Sequence, residues 1–191
     1  MNALKPWLFL CRIAVLRIED YPQSAELRGG LEMRKAARED LMAAMQDQPG
    51  HFSLSFIDDA LCRGDYCVGA FDGSRMVAWA WASLNKAPHG DGLWVEIEPP
   101  YSYGYKWFTT PEYRGQGIIG QLTILRDKLG AELGCSHNLG FIETHNYASW
   151  ASSQRLGSRT VGYAGYFKLF GKAFPFRTPG VVKHTFRFVR A

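Results

Sequence analysis

Ten residues constrain this chain more than any others: Pro111-Glu112-Tyr113-Arg114-Gly115-Gln116-Gly117-Ile118-Ile119-Gly120. A strand-like run from Tyr103 to Thr110 leads in. A helical run leads out, with Ile118, Leu122, Leu125 and Leu129 forming an i, i+4, i+7, i+11 apolar stripe that packs on a sheet. Glycines permit a sharp turn, and the first helical turn then points unbonded N–H groups and the positive end of its dipole at one spot. Such a terminus suits a phosphate or pyrophosphate. Many glycine turns merely connect elements, so the rest of the chain has to decide between the two readings.

At 191 residues the chain is expected to form one domain with a substantial core. Hydrophobic residues at 47% and aromatics at 14% argue against disorder. Leu8 to Ile18 reads as a strand, Glu19 to Gly30 as a loop and Leu31 to Ala36 as a short second strand. A helix follows from about Arg38, with Leu41, Met42, Ala44 and Met45 on its apolar face, and His51 to Leu61 is expected to form another. Asp65 to Phe71 and Arg75 to Leu84 form a hairpin through Asp72-Gly73-Ser74, with Val77, Trp79 and Trp81 predicted on one face and alanines on the other. Asn85 to Gly92 reads as a loop. Leu93 to Glu98 alternates so that Glu96 and Glu98 share a face, and Pro99-Pro100 ends that run. Leu139 to Thr144 is a strand, 146–155 a short helix capped by Asn146, and Val181 to Val189 the clearest strand of the remainder. This order predicts an α/β fold with a mixed, mostly antiparallel sheet and one helical crossover.

Charge is unevenly spread. Residues 1–144 carry 14 Lys and Arg with all 18 Asp and Glu, a formal −4, whereas 145–191 carry eight cations and no acid, a formal +8. Such a region could meet CoA phosphates, an acidic substrate, a carrier protein or an anionic membrane, or simply be a solvated face. It contains no nucleic-acid recognition motif or clustered basic helix, and no nucleic-acid partner is expected. Cys11, Cys62, Cys67 and Cys135 show no metal spacing, so no metal is expected; free thiols suit a reducing compartment. The apolar run from Trp7 to Leu16 is too short to span a bilayer and lacks a signal-peptide cleavage site. The expectation is a cytoplasmic protein without stable membrane insertion.

The turn, its helix and the Asn146 helix together resemble the GNAT (Gcn5-related N-acetyltransferase) superfamily. The run at 111–118 looks like that family's acyl-CoA pyrophosphate loop, Arg/Gln-x-x-Gly-x-Gly/Ala, and Asn146-x-x-Ser149 with Arg155-Leu156-Gly157 resembles its second signature. The likeness covers roughly residues 31–165. It implies a single GNAT-like domain over 31–191, its sheet flanked by helices, with residues 1–30 as an N-terminal extension of strand and loop packed upon it. By resemblance, N–H groups from Gly115, Gln116, Gly117, Ile118, Ile119 and Gly120 would hold the pyrophosphate, with Arg114 closing the turn. Phe108, Thr109 and Thr110 would offer main-chain groups to the pantetheine amides, and Asn146 with Ser149 would lie toward the pantetheine arm. The strand at 103–110 would splay from that at 139–144, leaving a gap for the thioester. Ile119 stands where the pattern has Gly or Ala, Ser153 where many members have a tyrosine acid, and Ser158 where a phenylalanine is usual.

Acyl transfer from a thioester needs a neutral amine, a polarised carbonyl and a proton for the departing thiolate. Tyr101 and Tyr103 occupy the positions where a base carboxylate often stands; Glu96, Glu98, Glu143 and His145 are the other candidates, leaving Glu98, Tyr103, Glu143 and Ser153 as the catalytic set. The aromatics Trp79, Trp81, Trp94, Tyr101, Tyr103, Tyr105, Tyr163, Tyr166, Phe167 and Phe170 either wall an acceptor pocket or pack the sheet. The expected activity is acyl-CoA-dependent N-acyl transfer, with acetyl-CoA or another acyl-CoA as co-substrate and a small-molecule amine as acceptor. An acyl-carrier-protein donor, a catalytically silent acyl-CoA-binding domain and a homodimer stay open.

Overall fold

The computed structural model describes residues 7–21 and 30–190. The loop expected over 19–30 therefore lies mostly outside the described residues. The N-terminal apolar run is β1 (Leu8–Arg17), and Glu32–Lys35 forms β2. Two helices follow, α1 (Arg38–Asp47) and α2 (Leu54–Cys62); α2 starts three residues later than the apolar pattern suggests, because Ser53 caps it by accepting from the Phe56 N–H. The hairpin is β3 (Tyr66–Asp72) and β4 (Arg75–Ser83). Then come β5 (Lys86–Pro88), β6 (Leu93–Glu96), β7 (Tyr101–Thr109), α3 (Ile118–Glu132), β8 (His137–Glu143), α4 (Tyr147–Arg155), β9 (Arg159–Leu169), β10 (Lys172–Arg177), the single turn α5 (Pro179–Val182) and β11 (Arg187–Arg190).

Eight strands form one sheet in the order β10-β9-β1-β8-β7-β4-β3-β2, while β11-β6-β5 form a small second sheet. All neighbours in the large sheet are antiparallel except β7 and β8, which α3 connects as a parallel pair. The N-terminal strand is not at an edge. It runs antiparallel between β8 and β9, which suits a sequence apolar at nearly every position. On one face, α3 seats Ile118 and Leu122 against Val68, Ala70, Ala78 and Ala80, with Leu125 and Leu129 beside them. On the other, α1, α2 and the small sheet enclose a core around Trp79, Trp81, Ile13 and Phe186.

Three sequence expectations are corrected. Val77 packs with the alanines rather than with Trp79 and Trp81, because a bulge between the Ala70–Ala78 and Phe71–Met76 pairs shifts the face by one residue. The segment 181–189 is not one strand: Pro179 begins a helical turn, Thr185 takes a left-handed φ of 63°, and only β11 is extended. The loop 85–92 contains β5, which pairs with β6 outside the main sheet.

Candidate active site

β7 and β8 are hydrogen-bonded only from Tyr101–His137 to Tyr103–Leu139. Past that point the two strands run on without a shared ladder, and the facing edge of β7 is open. A second bulge decides what faces the gap. Lys106 adopts a left-handed φ of 53°, and the register against β4 slips between Trp79–Phe108 and Trp81–Tyr105. Without it, Tyr103, Tyr105 and Trp107 would share a face. With it, Tyr103 and Tyr105 line a cavity on the side of α2, whereas Trp107 lines a groove beneath α3 and α4.

On the helix side, the glycine turn forms as its sequence suggests. Gly115 and Gly117 hold left-handed φ values of 78° and 76°, and Gly117 is the N-cap of α3. Among the described residues, the N–H groups of Gly115, Gln116, Gly117, Ile118 and Ile119 find no backbone carbonyl to donate to. That of Gly120 does, bonding Gly117 O at 3.0 Å, so it is spent on the first helical turn rather than free for an anion. Arg114 Nε donates to Thr109 O at 3.1 Å and ties the turn to the end of β7. All of these residues except Gln116 line a cavity of ≈ 220 Å³ that also reaches Ser152. Gly120 contributes by lacking a side chain: a Cβ there would meet only Leu156, and its surface is shared with the adjoining groove. Ile119 lines both spaces and packs on the α3 core, so its bulk is turned inward.

The groove continues along Thr123, Gly140, Ile142, Ser149, Ser152 and Ser153. Asn146 caps α4, its Oδ1 accepting the Ser149 N–H at 3.0 Å, which leaves its amide nitrogen for other work. Ser153 hydrogen-bonds Ser158 through their hydroxyls. Phe108 turns into the core and stacks on Trp79 with centroids 4.4 Å apart, so only its main chain can serve a ligand. The hydroxyls of Thr109 and Thr110 are buried without a partner.

On the opposite side of the gap, Phe56, Pro88, His89, Gly90, Tyr103, Tyr105, Lys106 and Phe141 line a cleft of ≈ 410 Å³. Tyr105 donates to Asp65 Oδ2 at 2.7 Å, and Arg63 holds the same carboxylate at 2.8 Å. Burial pushes the Tyr103 phenol far above its ordinary value, so it stays a neutral hydroxyl. Burial pulls the Lys106 ammonium down. His89, also lowered by burial, sits between the rings of Phe9, Phe141 and Phe188, with centroids 5.0–5.3 Å away.

The four catalytic candidates are not gathered into one cluster. Tyr103 faces the cleft, Ser153 the groove, and Glu143 ends β8, where its carboxylate is 3.3 Å from the exposed His145. Glu98 is not brought to the gap. It precedes the paired end of β7, 3.5 Å from Arg187, whereas Glu143 lies about 20 Å of strand beyond that end. Glu96 likewise pairs with Arg187 at 2.8 Å, and the Tyr101 hydroxyl with His184 Nδ1 at 2.8 Å. Sequence reasoning missed His89 and Trp107. Both depend on placements that local pattern does not encode: a small sheet folded over the cleft, and a bulge without a glycine. Among the described residues no group of three or more His, Cys, Asp or Glu is arranged to hold a metal, and no helix is long and apolar enough to cross a membrane.

Similarity to known proteins agrees with this geometry. No curated protein matches the chain. Among solved structures, a Drosophila structural-genomics protein superposes with a TM-score of 0.60 at 20% identity, covering 86% of this chain and 52% of its own. A GCN5-related N-acetyltransferase from Kribbella flavida gives 0.54 at 15% identity, with 80% and 56% covered. AAC(6′)-Iy, in complex with the bisubstrate analogue CoA-S-monomethyl-acetylneamine, gives 0.54 at 18%, with 78% and 99% covered. At these identities the likeness is one of fold, and the chain spans little more than half the length of the first two. The sequence model of the acetyltransferase (GNAT) family, however, matches residues 32–158, from β2 to just past α4, and the chain belongs to that family.

Proposed function

We propose that this chain transfers an acyl group, acetyl in the simplest case, from acyl-CoA to the amine of a small molecule by direct attack in a ternary complex. One observation carries the reading: the unpaired stretch of β7 and β8 separates two spaces, an N–H-lined groove on the helix side and an aromatic cleft on the other. A donor laid along the first and an acceptor entering the second would meet through the gap. The free N–H groups from Gly115 to Ile119 suit a pyrophosphate at the positive end of α3. The open edge of β7 near Phe108–Thr110 suits the pantetheine amides, and the Asn146 amide nitrogen would reach the same arm. Tyr103, neutral at all working pH values, would donate a hydrogen bond rather than accept a proton. On this reading residues 31–191 carry the transferase, residues 1–30 supply a strand to it, and the cytoplasm, where acyl-CoA is made and used, is its place of work. The AAC(6′)-Iy bisubstrate complex, in which CoA is joined to an acetylated amino sugar, supports an amine acceptor.

The test is thiol release from acetyl-, butyryl- and octanoyl-CoA over a panel of amines, with calorimetry of CoA binding alongside. Amine-dependent release supports the proposal. Tight CoA binding with no release over the whole panel would point to a silent acyl-CoA-binding domain, and absence of CoA binding would remove the central reading. A carrier-protein donor is the second reading, favoured by Lys172, Arg177 and Arg190 near the β10 edge, for which no carboxylate partner is seen among the described residues. Transfer from an acylated carrier but not from free acyl-CoA would select it.

A further inference from the structure

The cleft opposite the groove contains a proton-accepting group that the glycine turn does not supply, and it is held in part by a residue of β9 outside the segment matched by the family model. The turn between β5 and β6 is pinned by the His89 N–H bonding Leu93 O at 2.8 Å, and this places the imidazole at the wall of the cleft beside Phe141 of β8. Tyr166 of β9 reaches it from behind: its hydroxyl lies 3.4 Å from His89 Nε2 and 3.0 Å from Asp91 Oδ2. A carboxylate only accepts, so the phenolic hydrogen is committed to Asp91 and the phenolic oxygen accepts from Nε2–H. That fixes the tautomer. Nδ1 is left with its lone pair, and no protein partner occupies it among the described residues.

We propose that His89, oriented by Tyr166 and Asp91, is the base that takes the acceptor's proton, so that the small second sheet supplies His89 and Asp91, and β9 of the main sheet Tyr166, to a His–Tyr–Asp relay at the catalytic centre. The inference rests on the acyltransferase reading above. The amine nitrogen bonds to the thioester carbonyl carbon and one N–H proton passes to His89 Nδ1. The C–S bond then breaks, and the proton moves through water to the departing thiolate, leaving amide, thiol and a neutral imidazole. Tyr103 and Tyr105 stay neutral hydroxyls and do not compete as bases, and Glu143 does not line the cleft.

Other groups facing His89 bear on when it is neutral. Asp91 favours its charged form and is itself held by Lys168 at 2.7 Å; Cys11 and Glu143 lie on the same face, and Lys106 across the cleft. Burial outweighs Asp91 and keeps the imidazole below its ordinary value, hence neutral at pH 7. With kcat/KM expressed per neutral amine, so that the acceptor's own titration is divided out, activity should therefore rise with pH along a limb below about 6.5 and level off above it.

The experiment is the pH dependence of kcat/KM between pH 5 and 8, by thiol release from acetyl-CoA with the best amine of a panel containing tyramine, glucosamine, lysine and spermidine. His89→Gln should lower kcat at least about 100-fold, abolish the acid limb and leave CoA affinity by calorimetry unchanged. Asp91→Asn keeps the imidazole and removes the charge that favours its protonation, so its limb should move to lower pH; Tyr166→Phe should lower kcat with little change in KM. A flat wild-type profile, a His89→Gln enzyme that keeps the limb, or an Asp91→Asn limb that stays in place or moves up would each overturn the proposal. If the wild type binds CoA and releases no thiol with any amine, the acyltransferase reading itself fails and takes the relay with it.

Discussion

Arg126 and Asp127 are adjacent in α3 and both wholly buried, with Arg126 Nη2 2.7 Å from Asp127 Oδ1 and the Tyr21 hydroxyl donating to the other carboxylate oxygen. The guanidinium lies flat against Gly104 of β7, where a Cβ would fall 2.1 Å from Nη1. Removing one charge strands the other in a dry interior. Asp127→Asn is expected to cost about 3–5 kcal/mol, a melting temperature lower by about 10 °C, whereas replacing Arg126 with Met and Asp127 with Leu together should be near neutral. Thermal unfolding by circular dichroism checks both. A milder effect is expected at Asp40, whose carboxylate is held below its usual range by Arg34 and also bonds the Ala37 N–H at 2.8 Å. A depressed native pKa adds stability above the unfolded value and loses it as pH falls through the native one. Asp40→Asn should therefore lower the melting temperature at pH 7, with the difference from wild type shrinking as pH falls below the ordinary carboxylate range and through the depressed native value. None of these pairings is visible in sequence. Arg126-Asp127 is buried by the approach of Gly104, Tyr21 and Tyr66 from distant parts of the chain.

At the scale of elements, the features local chemistry dictates were readable. Asn146 capping α4 and the Ile118–Leu129 stripe on α3 follow from side-chain geometry within one turn or two. The features that failed are those where long-range pairing overrides local pattern: the bulges at Val77 and near Lys106, the β5 strand, and the helical turn within 181–189. Half of the candidate site shared that fate. The glycine turn was legible because φ > 0 selects glycine; the aromatic cleft was not, because its walls come from α2, β5, β7 and β8. Gly117→Ala forces an L side chain into the left-handed region at the N-cap, at a cost of about 1–2 kcal/mol, and should weaken CoA binding tenfold or more by calorimetry. Gly120→Ala places its Cβ in ordinary contact with Leu156, 3.9 Å away, on helical backbone, so its melting temperature should match or slightly exceed wild type. Any loss of CoA affinity there reports the junction between cavity and groove.

At the scale of the molecule, the sheet is joined through β1. It supplies ladder partners to β8 along one edge and β9 along the other, and it lies outside the segment matched by the family model. Deleting residues 8–17 should unzip β9 and β10 from the rest and bury neither face of the resulting edges. The expected outcome is aggregated protein, checked by the soluble fraction after expression beside the full chain. If instead the shortened chain is soluble with native circular dichroism, β1 is an accessory to the sheet rather than its keystone.

The placement of β1 also sets a timetable. Cys11 pairs with Glu143 on one side and Ala164 on the other, so this strand, once made, has no native ladder partner until well over a hundred more residues have followed. At about 5–20 residues per second that interval is several seconds to half a minute, during which an apolar ten-residue strand waits on the ribosome with nothing to bind. The nascent chain is thus a candidate client for a holding chaperone during that interval, and slower translation lengthens its exposure.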